Sequence, residues 1–355
     1  MNISIQLSRK IRLGSLIGAI LVVWLHTSNE PIEKGNLGWW AYELIEYGLC
    51  PLAVPFFFCV SGFFVGKKMS ADNWYEAEVR KRVYSLLVPY VLWNVLFALF
   101  CAALNIGANH VAGRTWSCNT IFASGAACEA TVALFYKHPF EGSTWYLRSL
   151  FIFVLLSPVI RILLDKTKGW GLSLLFCAYL LIIPGEVPRS ELWVGENWGY
   201  FFWGVFSLQG LFYFSLGMWL SWYECRVNHQ CAYLCGAGYL IALLLLANMH
   251  LQSMSLVSFG ICPAPFVILL GLIFWSSIFA KWYLRFEVAN ISLPIYLLHQ
   301  FGICVSGMVM RRLATEPSLT TSLINFLITL TVTLIMYAVL RRISPVWHLL
   351  SGRRT

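Results

Sequence analysis

Ten runs of roughly twenty apolar residues, divided by short polar segments, constrain this chain more than any other feature. A run of that length crosses the hydrocarbon core of a bilayer as one α-helix. Helices and closed barrels are the only backbones that satisfy their own polar groups there. The runs lie at about 11–28, 47–66, 83–105, 145–164, 170–185, 200–222, 231–249, 259–279, 290–310 and 319–341. The predicted fold is therefore all-α: a polytopic integral membrane protein of about ten transmembrane helices, with residues 1–355 as a single domain. A share of 59% apolar and only 12% charged residues excludes an ordinary soluble domain, and 16% aromatics suit interfacial belts. The first run lacks a small-residue cleavage site and reads as a retained span.

Charge gives the orientation. With the N-terminus in the cytoplasm, Arg9, Lys10, Arg12, Lys67, Lys68, Arg80, Lys81, Arg82, Arg161, Lys166, Lys168, Arg341 and Arg342 all fall inside. Glu30, Glu33, Glu43, Glu46, Glu129, Glu141 and Glu316 fall outside. The positive-inside rule then places both termini in the cytoplasm. The net charge of +9 does not indicate nucleic acid, because no basic tract interleaved with aromatics is present. The longest outer loop, about 106–144, holds Cys118 and Cys128. In an oxidising compartment they can pair; two free thiols is the other reading. No Cys/His set has zinc spacing, so no metal is expected. Pro51, Pro55, Pro263, Pro265 and Pro294 are candidate breaks inside helices.

Five segments carry residues able to do chemistry. His26 lies inside the first apolar run, where an ionisable group is costly unless it faces the protein interior, and a neutral imidazole there is a general base or a helix contact. The stretch Pro55-Phe-Phe-Phe-Cys-Val-Ser-Gly62 brings Ser61 and a glycine into a span, suiting either helix packing or close approach of a ligand. Arg80, Lys81 and Arg82 lead to Pro89-Tyr90 and Asn94; the cations either hold phosphates or mark topology. Ser143-Thr-Trp-Tyr-Leu-Arg148 opens the fourth span, with Trp145 and Tyr146 as a stacking surface or part of an aromatic belt. Ser292-Leu-Pro-Ile-Tyr-Leu-Leu-His299 brings Tyr296 and a second intramembrane histidine. No nucleophile elbow, Walker loop or dinucleotide fingerprint is present.

Taken in order, these segments resemble the acyltransferase 3 family of bacterial membrane O-acyltransferases, over almost the whole chain. Val54 to Gly62 is similar to the family's Val-Pro-Phe-Phe-x-x-Ser-Gly segment, Arg80 to Tyr90 to its basic run before Leu-x-Pro-Tyr, Trp145 to Pro158 to its Trp-Tyr/Phe-Leu helix ending in Ser-Pro, and Ser292 to His299 to its Ser-x-x-Ile-Tyr-Leu-x-His helix. The family's arginine eleven residues before the first histidine is Ser15 here, with Arg12 one turn earlier; its basic residue four before the proline is Ser85; its histidine before the tryptophan is replaced by Ser143 and Thr144. The chain resembles the short members without an added outer esterase-like domain.

The resemblance implies acetyl-CoA, or another short acyl-CoA, used from the cytoplasm. The implied acceptor is a hydroxyl of a cell-envelope polysaccharide or its lipid-linked precursor, on the outer side of a bacterial inner membrane. His26 would be catalytic. Arg12, Lys10, Arg80, Lys81 and Arg82 would bind acyl-CoA, and Ser61, Asn94, Trp145, Tyr146, Arg148, Tyr296 and His299 would line the cavity or meet the acceptor. The other readings are a small-molecule transporter or binding module of the same fold, and a scaffold in glycan assembly. Nothing in the sequence fixes an oligomeric state.

Overall fold

The computed structural model describes residues 5–29, 31, 33–112, 139, 141–181, 207–223, 228–251, 264–282, 291–313 and 316–352. Among these every regular element is helical: α1 (Ile5–Thr27), α2 (Leu37–Glu43), α3 (Ala53–Gly66), α4 (Trp74–Arg82), α5 (Val88–Ala112), α6 (Trp145–Lys166), α7 (Trp170–Leu181), α8 (Leu208–Trp222), α9 (His229–Leu251), α10 (Ala264–Trp282), α11 (Ser292–Leu313), α12 (Leu319–Leu340) and α13 (Ser344–Leu350). Seven segments are long and apolar enough to cross a membrane: Ile5–Thr27, Leu37–Gly66, Trp74–Ala103, Gly142–Lys166, Gln230–Met249, Ser292–Leu313 and Leu319–Leu340. The protein is a multi-pass, all-α membrane protein. The three remaining runs of the sequence reading meet shorter helices, α7 of 12 residues, α8 of 15 and α10 of 19. Cys118, Cys128 and Pro263 lie outside the described residues.

The described prolines do not break their spans. Pro265 and Pro294 each sit in the first turn of a helix, where the missing N–H has no intrahelical partner to lose, and Pro55 follows the 3-10 turn Cys50–Leu52 inside the continuous segment Leu37–Gly66. Ahead of Pro51 and Pro89 the helix widens instead, into π turns at Leu44–Leu49 and Val83–Leu87. The wider turn gives room for a ring that otherwise meets the carbonyl four residues back. Pro158 lies inside α6 and deprives the Val154 carbonyl of its usual donor. Ser157 Oγ donates to that carbonyl at 2.6 Å, so the Ser-Pro pair is a self-repairing helix element.

Gly62 packs α3 onto α8. A Cβ at Gly62 would run into the Phe214 carbonyl, and one at Gly217 into the Cys59 carbonyl. Close backbone approach through small residues is how helices gain van der Waals contact when lipid offers no hydrophobic drive. Helix α12 is apolar outside and polar inside. Its buried residues are Ser322, Thr329 and Thr333, while Leu323, Ile324, Leu327, Ile335 and Val339 are exposed. Thr329 Oγ1 donates to Ser306 Oγ of α11 at 2.7 Å.

Hydrogen bonds pin both ends of the bundle. At one, Glu78 is buried between Lys68 (2.6 Å) and Arg82 (2.7 Å), Arg161 Nη1 donates to the Met69 carbonyl at 3.0 Å, and Trp93 Nε1 donates to the Leu350 carbonyl at 2.9 Å. At the end where α1 finishes, Asn325 Nδ2 donates to the Thr27 carbonyl at 2.7 Å and Ser28 Oγ donates to Glu46 at 2.6 Å.

Candidate active site

The last turn of α1 carries His26, and that turn is held from several sides. Thr27 Oγ1 donates back to the Val23 carbonyl at 2.9 Å, and α12 caps the Thr27 carbonyl through Asn325. Val23 and Ala19, buried on the same helix, pack with Ile295 of α11. One turn beyond Ile295 the chain presents His299, so the same packing brings the two histidines together. Their rings stack with centroids 5.4 Å apart and planes 27° from parallel. The pair is asymmetric: the His26 side chain is exposed, and His299 is fully buried.

Hydrogen bonding sets the state of His299. Its Nδ1 lies 2.8 Å from the Tyr296 carbonyl. A carbonyl only accepts, so Nδ1 carries the proton and Nε2 the lone pair. Nε2 has no hydrogen-bond partner among the described residues. Tyr296 reaches further. Its hydroxyl donates to the Ser143 carbonyl at 2.6 Å, and its ring meets that of Tyr146 edge-on at 5.8 Å. Tyr146 hydroxyl and Ser61 Oγ lie 3.2 Å apart, and Phe58 packs against the Tyr146 ring at 4.6 Å. Ser61-Gly62 therefore divides its work: the glycine seats α3 on α8, and the serine faces the tyrosine of α6.

The short turn Gly142–Thr144 ahead of α6 folds inward onto α5. Asn94 Nδ2 donates to Thr144 Oγ1 at 2.9 Å and to the Tyr90 carbonyl at 2.7 Å, while Asn94 Oδ1 accepts from the Glu141 N–H at 3.0 Å. Glu141 is fully buried in this turn, and Ser143 Oγ donates to its Oε1. Its Oε2 has no partner among the described residues. Burial pushes the Glu141 carboxyl up to about 7, against the hydrogen bonds of the turn. Arg148, one turn into α6, is buried; its Nη1 lies 3.4 Å from the Tyr90 hydroxyl, with the guanidinium 5.9 Å from that ring's centroid.

The structure thus links Ser61, Tyr146, Tyr296 and His299 in one chain of contacts that ends on His26, with Asn94 joined through the Gly142–Thr144 turn and Arg148 and Tyr90 at its edge. Trp145 stands apart and packs on Phe58 at 6.1 Å. The cations form a separate group. Arg12 contacts Ser8 at 3.4 Å, Arg82 is held by Glu78, Arg80 and Lys81 are exposed on α4, and Lys10 lies in the first turns of α1. Helix α1 runs antiparallel to α3: Cys50 Sγ meets the Leu21 carbonyl, Ala53 lies at Gly18 and Phe56 at Gly14. Arg12 and Lys10 accordingly share an end with Lys67 and Lys68, with Arg12 about 21 Å along α1 from His26. Among the described residues no group of three His, Cys, Asp or Glu is placed to hold a metal ion.

Glu141 is the residue that sequence reasoning passed over. It reads there as one more acid of the outer side. The available signal was Asn94, an amide in an apolar run that requires partners from elsewhere in the chain.

The family described as Acyltransferase domain matches residues 15–341. The chain belongs to this family, the acyltransferase 3 family of the resemblance above. The match includes His26 and His299 and begins after Lys10 and Arg12. Among curated proteins, the succinoglycan biosynthesis protein ExoH of Rhizobium meliloti (strain 1021) is 22% identical over 196 residues. That alignment spans 51% of this chain and 50% of the relative, so only about half of each is matched. No solved structure matches.

Proposed function

We propose that this membrane acyltransferase moves a short acyl group, in the first instance acetyl, from cytoplasmic acyl-CoA to a hydroxyl of a cell-envelope polysaccharide or its lipid-linked precursor. The observation that carries the reading is the histidine pair: an accessible His26 stacked on a buried His299 whose proton is committed to a carbonyl. The relative's name, which ties it to succinoglycan biosynthesis, supports a polysaccharide acceptor.

In this reading a ring nitrogen of His26 takes the proton of the acceptor hydroxyl as its oxygen attacks the thioester carbonyl. The C–O bond forms, the C–S bond breaks, and the imidazolium returns the proton to the departing CoA thiolate. The stacked, neutral His299 keeps the ring seated without donating a proton to it. Arg12, Lys10, Arg80 and Lys81 would meet the CoA phosphates, a role suited to fixed cations at the mouth of an apolar bundle. Arg82 already pairs with Glu78 and would contribute less. Gathering of cations at one end supports a bacterial inner membrane with both termini in the cytoplasm. His26 then lies in the outer half, and the thioester has to be carried inward from that cationic mouth.

The test uses membranes containing the protein, acetyl-CoA and extracted envelope glycan. CoA release together with acetyl gain on the glycan is expected, and His26→Ala is expected to lower both by at least about a hundredfold. Equal rates in wild type and His26→Ala would overturn the assignment.

A further inference from the structure

We infer that Glu141 is a positioning residue of the acyl-transfer site, acting on the histidine pair through Ser143 and Tyr296. The inference rests on the reading above of His26 as the base.

Three hydrogen bonds of defined direction and one ring contact make up the chain. The Ser143 hydroxyl donates to Glu141 Oε1. The Ser143 carbonyl accepts from the Tyr296 hydroxyl at 2.6 Å. The Tyr296 carbonyl accepts from His299 Nδ1 at 2.8 Å, and the His299 ring lies against His26. A carboxyl at the far end of this chain holds the Ser143 turn, the turn holds the tyrosine, and the tyrosine holds the buried histidine in one tautomer. Asn94 closes the arrangement by accepting from the Glu141 N–H and donating to Thr144.

Burial makes a bystander role expensive. A fully buried carboxyl with one oxygen unpartnered among the described residues costs free energy that an apolar side chain would avoid. A leucine would fill similar space without that cost. What it cannot supply is an acceptor for the Ser143 hydroxyl. Pair and network interactions of this kind orient the reacting group rather than touch the substrate. A misplacement of about 1 Å at the reacting group is worth about a hundredfold in rate.

The test is a double-mutant cycle in native membranes, read as kcat and acyl-CoA KM, with wild type and His26→Ala as references. Glu141→Leu and Tyr296→Phe are each expected to lower kcat about tenfold to a hundredfold with KM unchanged. Their combination should be no worse than the poorer single variant, because both cut one chain. Glu141→Gln keeps an acceptor oxygen for Ser143 and should stay within about threefold of wild type. If Glu141→Leu does not accumulate, Ser143→Ala takes its place in the cycle and breaks the same bond from the donor side. Wild-type kcat in Glu141→Leu, additive losses in the double variant, or a loss confined to KM would overturn the inference. Absence of any His26-dependent transfer in the wild type would instead overturn the reading on which it rests.

Discussion

His26 and Glu141 illustrate two ways a polar side chain exists inside this bundle. His26 is accessible and stacked on a ring; Glu141 is enclosed by a turn that supplies its hydrogen bonds. The carboxyl's pKa has a consequence for stability. The folded protein keeps its proton up to about 7, whereas an unperturbed carboxyl releases it near 4.5. Between these values the folded state binds the extra proton, so this group's contribution to stability falls as pH rises through the window. The ionisable groups of the surrounding elements that join the same cluster are Tyr90 on α5, Tyr146 and Arg148 on α6, and Tyr296 and His299 on α11. The thermal midpoint of the detergent-purified protein is expected to be higher at pH 5 than at pH 8. Glu141→Gln should flatten that difference, and an unchanged slope in the variant would assign it to another group.

The element that most depends on its sequence is the α3–α8 pair. Gly62 and Gly217 face each other's helix backbone with no room for a methyl group. Gly62→Ala and Gly217→Ala are each expected to cost about 1–3 kcal/mol through overpacking, more where the backbone cannot yield. A lowered thermal midpoint with His26-dependent transfer intact at low temperature is the expected signature. A variant as stable as wild type would contradict the close approach. From the sequence, Ser61-Gly62 reads as helix packing first and as close approach of a ligand second, since a small residue in a span serves either. The π turns ahead of Pro51 and Pro89 were not legible at all. Proline announces a missing N–H, but how the preceding turn absorbs it depends on the neighbours.

Across the whole molecule, the all-α membrane architecture was legible because a bilayer leaves a chain so few choices: the apolar runs had to be helices. The polar residues of the spans drew attention for a related reason, as polar groups in an apolar run need an interior purpose; His26 stacks on His299, Tyr296 reaches Tyr146 and Ser143, and Ser61 and Asn94 join through Tyr146 and the Gly142–Thr144 turn. Glu141 was hidden because it precedes its span in a stretch that reads as outer loop, and only the three-dimensional structure folds that turn onto α5. The cationic end makes a global prediction. Reporter domains fused to either terminus should be active only as cytoplasmic fusions, and a periplasm-active N-terminal fusion would reverse the orientation and with it the side from which the donor enters.

Acyl transfer to an envelope glycan through His26 is tested most directly by mass spectrometry of envelope glycans from cells carrying the wild-type gene, His26→Ala or no copy. An acyl mass on a glycan that appears with wild type and vanishes in both other strains is the predicted result. Identical glycans in all three, with both proteins inserted in the membrane at equal levels, would contradict the account and turn the question to small-molecule transport.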